Sequence, residues 1–161
     1  MIAKIVLLGG GIGGLATAHL LRKKLGAHDQ VVVIDRQKSQ YFNPSLLWLL
    51  SGERTPGALY RDLGCLPEHG IGFIHDEAVE IRPERKEIIL KQNPPLAYDV
   101  LVLATGADYD FLEYPKLFEA GYCLHTIEGM LALRQALTEF HGGPNRHRHP
   151  LVANQMSGSG L

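Results

Sequence analysis

Cysteine is nearly absent from these 161 residues, with only Cys65 and Cys123. Neither belongs to a Cys-x-x-Cys pair, so neither a zinc site nor a disulfide framework is suggested. Such sparing use of thiols fits a reducing, cytoplasmic setting. A charge excess of one sign is also missing: the formal net charge is −1, which gives nucleic acid or an acidic lipid surface no electrostatic purchase. No window approaches the ~18 uninterrupted apolar residues of a membrane span. The run "LLWLL" at 46–50 is far too short for that role, although it could lie beside a lipid-soluble ligand. Near the start, Lys4, an apolar run and Ala16-Thr17-Ala18 imitate a secretory leader. The glycines at 9, 10, 11, 13 and 14 interrupt that run, and glycine is a poor helix former, so export is not expected. What is plentiful is ordinary globular material, 45% hydrophobic and 20% charged, enough for one domain with a real core.

The chain reads as strands and helices in alternation. "KIVLLGG" (4–10) is a buried parallel strand ending in glycines. In "GGLATAHLLRKKLG" (13–26), Leu15, Ala18, Leu21 and Leu25 recur at helical spacing, and a basic last turn with Gly26 marks the stop. "VVVID" (31–35) is a second strand, which completes a right-handed βαβ unit. "FNPSLLWLLSG" predicts a helix with Asn43 as N-cap, Pro44 in the first turn and Gly52 past the end. A further short helix is expected over "GALYRDL" (57–63). From Gly70, alternation around a charged turn at Pro83–Lys86 predicts an antiparallel excursion. "YDVLVLATGA" (98–107) returns to a buried strand, and "IEGMLALRQALTEF" (127–140) is an amphipathic helix. The fold class expected is α/β, a Rossmann-like dinucleotide-binding fold with a parallel sheet plus an antiparallel excursion.

Gly9-Gly10-Gly11-Ile12-Gly13-Gly14 satisfies G-x-G-x-x-G directly after a strand and at the opening of a helix. Gly9 permits the tight turn, Gly11 lets backbone approach a pyrophosphate, and Gly14 lets the helix pack closely. The helix N-terminus then faces the phosphate charge. Gly13 completes the candidate binding turn. Asp35 ends the second strand, 21 residues beyond Gly14, where a carboxylate can accept from the ribose hydroxyls of an adenosine. Arg36 joins it as a candidate. Alone it would suggest a 2′-phosphate, but the adjacent acid disfavours that anion. A helix beginning at Pro44 would aim free N–H groups at an acceptor-bearing ligand, or it is an ordinary capped surface helix.

The glycine run, "VVVIDR", "YFNPSLLWLLSGE", "YDVLVLATGA" and "TIEGMLALRQAL" together resemble the FAD-binding half of two-dinucleotide-domain flavoproteins of the pyridine nucleotide-disulfide oxidoreductase type. Within them the branch most similar holds the sulfide:quinone oxidoreductases and type II NADH:quinone dehydrogenases. The resemblance covers residues 2–143. It implies FAD as cofactor, its pyrophosphate on Gly9, Gly11 and Gly14 and its ribose on Asp35. It further implies Val79 against the adenine through its backbone, Ala104-Thr105-Gly106 closing over the cofactor, and Pro44 near the flavin. The activity implied for the full-length parent is two-electron transfer from a donor, sulfide or NADH, through FAD to quinone. That parent would be peripheral on the inner face of the membrane. A non-catalytic nucleotide-binding module and a compact NAD-dependent dehydrogenase are the other readings.

The family pattern also breaks. The cysteine expected directly before Thr126 is replaced by His125, with Cys123 displaced by two positions, so Cys123 and Cys65 are read as structural and no catalytic residue is assigned. The inserted NAD-type domain and the segment completing the flavin site are not seen after Gly143. The expectation is therefore a truncated first segment, 1–143, that does not turn over alone. Residues 144–161 have no periodicity. His147 and His149 alternate with arginines that would repel a metal cation. Asn-Arg-His-Arg-His-Pro (145–150) is compatible with codons that, read one base later, give Ile-Val-Ile-Gly-Ile-Pro, the composition of a buried strand. A frame change near Gly142–Pro144, or a cloning scar, is the expectation for this tail.

Overall fold

The structure, a computed structural model, describes residues 2–108, 115–116 and 121–141. The tail beyond Gly143 and its expected irregularity lie outside them. The described residues form two compact units.

The first unit is built on Met1–Phe42 and Tyr60–Ala107. Its centre is β1 (Lys4–Leu8), followed by α1 (Ile12–Lys24) and β2 (Gln30–Asp35). A short ribbon pairs β3 (Ser39–Tyr41) antiparallel with β4 (Tyr60–Asp62). A 3-10 helix over Leu63–His69 leads to β5 (Gly72–His75). Then come β6 (Ala78–Arg82), β7 (Glu87–Leu90), β8 (Leu96–Ala97) and β9 (Val100–Leu103). The main sheet has the order β5-β2-β1-β9, with every pairing parallel. The remaining strands β6-β7-β8 make a separate antiparallel sheet.

The apolar run of β1 follows from this layering, because both faces of the strand are covered. Ile5 and Leu7 face a cluster with Ala18, Val31, Val33, Leu63, Leu66 and Ile71, against which Leu15, Leu21 and Leu25 of the first helical segment pack. Val6 faces the other way, into a cluster with Ile34, Ile88 and Leu90, joined by Leu8, Ile74 and Tyr98. The first unit is thus three layers: helix, parallel sheet, antiparallel sheet.

The second unit holds Asn43–Leu59 and the described residues from Asp108 on. It contains α2 (Leu47–Ser51), α3 (Pro56–Leu59) and α4 (Ile127–Thr138). Thr126 caps α4 by accepting from the Gly129 amide, and the Arg54 guanidinium lies 3.9 Å from the centre of the Trp48 ring.

Four expectations are corrected. The predicted helix from Asn43 opens as a 3-10 turn over Asn43–Leu46, with Asn43 inside it, and becomes α-helical only at Leu47; Gly52 does end it, at φ 80°. The helix expected over 57–63 stops at Leu59, and Tyr60–Asp62 is drawn into the ribbon with Ser39–Tyr41. The excursion begins later than Gly70, because Gly72–His75 pairs in parallel with Val32–Asp35. Lastly, "VLVL" is not buried throughout: among the described residues it is the terminal strand of the sheet, with Val100 and Leu103 exposed.

Candidate functional site

The C-terminal ends of β1, β2, β5 and β9 converge on one side of the first unit, the place where parallel α/β sheets bind ligands. There a crevice of about 280 Å³ is lined by Leu8, Gly9, Ile34, Asp35, Arg36, Asp76, Glu77, Ala78 and Thr105. Pockets for whole small molecules span roughly 300–1,000 Å³, so this one suits part of a dinucleotide.

The glycine turn is built from the backbone outward. Gly9 sits at φ 111°, and a Cβ there would overlap the Ala104 carbonyl. Its amide donates to the Ile34 carbonyl at 2.9 Å, which ties the turn to β2. A Cβ on Gly14 would overlap the Gly9 carbonyl oxygen. These two glycines are required by the protein itself. Gly11 and Gly13 differ, because a Cβ on either would meet nothing within 4 Å. Bare backbone at those positions is what a ligand lying against the turn would require. Gly11 is the N-cap of α1 without a side-chain cap, and no acidic residue occupies the first turn. The first-turn N–H groups therefore face outward with the positive end of the helix dipole.

Asp35 closes the other side. Its Oδ2 accepts from the Gly10 amide at 2.5 Å and its Oδ1 from the Gln37 amide at 2.7 Å. Arg36 is exposed beside it, and its carbonyl is 3.1 Å from His75 Nε2. The Asp76 amide donates to the Asp35 carbonyl at 3.0 Å, so the ladder between β2 and β5 runs on to the lip of the crevice.

The sequence-predicted residues Gly9, Asp35, Arg36 and Thr105 therefore meet in one crevice. Ala104 stands behind them, its amide donating to the Leu8 carbonyl at 2.8 Å. Gly106 follows at φ 73° with open space around it. Val79 lies on β6 and is exposed; Ala78, not Val79, lines the crevice. Pro44 is an exposed residue of the second unit.

Asp76 and Glu77 also line the crevice, and no sequence motif singles them out. Asp76 is 3% exposed, a carboxylate with hardly any access to solvent. Burial pushes its pKa up. The Asn93 side-chain amide and the Glu77, Asn93 and Gln92 N–H groups outweigh that and hold it down at about 2. Glu77 is drawn below the usual carboxylate range by a hydrogen bond from Lys91 and by that residue's charge. The signal that could have found both was available in the end of the apolar run "IGFIH", once it was taken as a parallel strand.

Comparison with known proteins agrees with this geometry. The profile of the pyridine nucleotide-disulphide oxidoreductase family matches residues 3–152. A sulfide-quinone reductase of Aquifex aeolicus is 29% identical over 164 residues, covering 98% of this chain and 36% of the relative. A type II NADH:quinone oxidoreductase of Haemophilus influenzae is 31% identical over 113 residues, 67% of this chain and 25% of the relative. The X-ray structure of the Aquifex aeolicus sulfide:quinone oxidoreductase superposes with a TM-score of 0.71 at 28% identity, over 88% of this chain and 33% of that one. The chain spans about a quarter to a third of the length of these relatives. A flavin or nucleotide cofactor is implied by this kinship. With its glycine turn, its parallel sheet and a match along nearly its whole length, the chain belongs to the pyridine nucleotide-disulphide oxidoreductase family.

Proposed function

We propose that the chain binds FAD and forms the flavin-binding part of a quinone-linked oxidoreductase. Bound FAD supplies two-electron chemistry between a donor, sulfide or NADH, and a quinone. The observation that carries the reading is the crevice where Gly9, Asp35, Arg36 and Thr105 converge beside the open glycine turn.

The chain's own part is binding and orientation. The first-turn amides of α1 and the bare backbone of Gly11 and Gly13 would hold the pyrophosphate, with Gly14 keeping the helix close. A carboxylate offers about four acceptor sites, and Asp35 uses one on each oxygen for a backbone amide. The rest remain for ribose hydroxyls. Those amides also orient the carboxylate, and its charge disfavours a 2′-phosphate whatever Arg36 contributes. Ala78 and Glu77 would form the wall on the adenosine side, with Val79 next along β6, and Thr105 of the Ala104-Thr105-Gly106 turn the opposite lip.

Titration of the purified protein with FAD, read by flavin fluorescence and absorption, tests the reading. The expected result is saturable binding with a perturbed flavin band and competition by ADP. Tight binding of NAD with no affinity for FAD would overturn it. Peripheral association with a membrane belongs to the proposed whole enzyme. Among the described residues no helix is long and apolar enough to cross a bilayer.

A further inference from the structure

Three buried or unusual features lie outside the roles already assigned: the Asp76 carboxylate, the contact between the His19 and His69 rings, and a second crevice, of about 300 Å³, between Lys4, Gln30 and Tyr98 at the opposite end of the sheet. Only the first joins a charged buried group to a candidate site.

We infer that Asp76 is a positioning residue for the adenosine-side wall of the nucleotide crevice. This deepens the proposed function and rests on it. The Oδ1 atom of Asp76 accepts from the Glu77 amide at 2.7 Å and the Gln92 amide at 3.2 Å. Its Oδ2 accepts from the Gln92 amide at 3.1 Å, the Asn93 amide at 2.9 Å and Asn93 Nδ2 at 2.7 Å. A carboxylate has about four lone-pair sites, so these donors leave none for a ligand. Asp76 lines the crevice without being able to bind what enters it. Its effect must pass through what it holds.

What it holds is the wall. Glu77 and Ala78 follow Asp76 directly, and both line the crevice. The segment after β7 is clamped to the same place, since the Lys91 amide donates to the Glu77 carbonyl at 2.9 Å and Lys91 Nζ reaches Glu77 Oε2 at 2.7 Å. From the other side, the Asp76 amide grips the Asp35 carbonyl. Asp76 therefore links the acid on β2 to the wall across from it through two different groups: its backbone amide holds Asp35, and its carboxylate fixes Glu77 against the segment at 92–93. The glycine turn is held separately, by Gly9 on Ile34 and Gly10 on Asp35. Loss of the Asp76 charge should move the wall and spare the turn.

The test uses Asp76→Asn, with Asn93→Ala as a milder variant, both titrated with ADP at a temperature where circular dichroism shows each fully folded. Asp76→Asn is expected to weaken ADP binding ~10-fold and Asn93→Ala by a smaller factor, the scale of hydrogen bonds lost at a charged group. In amide NMR spectra, Gly11 and Gly14 should still respond to ADP as in the parent protein, while the responses of Glu77 and Ala78 change. Unaltered ADP affinity in both folded variants overturns the inference. So does loss of the response at the glycine turn together with the wall, the mark of general loosening. A parent protein that binds no ADP overturns the nucleotide reading itself, and is told apart because no variant enters that result.

Discussion

The Asp35 carboxylate holds the glycine turn through the Gly10 amide and accepts from the Gln37 amide, and in the proposed function its remaining acceptor sites take the ribose. Asp35→Ala should therefore weaken FAD or ADP binding by about 1–3 kcal/mol, the worth of charge-assisted hydrogen bonds. Isothermal titration of both proteins checks this, and equal affinities would show that Asp35 has no part in the site. Gly14 carries a different demand, because its neighbour is backbone and cannot swing aside. Gly14→Ala is expected to destabilise the fold by at least the ~1–3 kcal/mol typical of overpacking, read as a lower urea midpoint. Gly11→Ala meets no protein atom, so it should leave the midpoint near that of the parent and lower ligand affinity instead. These residues were legible in the sequence because each answers to a local rule: a turn, a close approach, a strand end. Asp76 answers to none. Its partners at 92 and 93 come from a different strand link, and nothing short of the tertiary arrangement brings them to it.

At the level of elements, legibility followed the reach of the interactions. The glycine turn, α1 and β2 lie within one short stretch, and the expected boundaries hold to a residue or two. The stretch 57–63 departs from the helix its sequence predicts because its last residues are claimed by a distant partner: Tyr60–Asp62 pairs with Ser39–Tyr41, and Tyr41 and Tyr60 meet ring edge to ring face at 5.5 Å. Alternation from Gly70 onward hid a change of sheet, since β5 and β6 are consecutive but serve different layers. The bend between them is where Asp76 sits, and it gives that junction a pH dependence. The folded-state pKa of about 2 lies below the ordinary 3.8, so the carboxylate's contribution to stability is complete above 3.8. That contribution is lost as pH falls towards 2, when the folded state must also take up the proton. Thermal unfolding followed across that interval should show a steeper loss for the parent than for Asp76→Asn. Parallel curves would mean that the junction is not held by charge.

For the whole molecule, the sheet ends at β9, which pairs with β1 on one side and with no strand on the other among the described residues. Leu103 is 64% exposed on that strand. An unpaired apolar edge invites another strand, so the protein is expected to self-associate as its concentration rises. Leu103→Lys should shift sedimentation toward the monomer, whereas unchanged sedimentation would place the contact elsewhere. The same pairing has a consequence in time. Ile5 lies opposite Val100, so this inner strand of the sheet is made well before β9 and receives one of its two neighbours only after most of the first unit has been synthesised. A nascent chain on the ribosome would hold β1 half-paired through that interval, and contacts of such long sequence separation close slowly. Productive folding of this chain should therefore depend on how quickly translation proceeds from the glycine turn to β9, and on whether a chaperone shields β1 until it arrives.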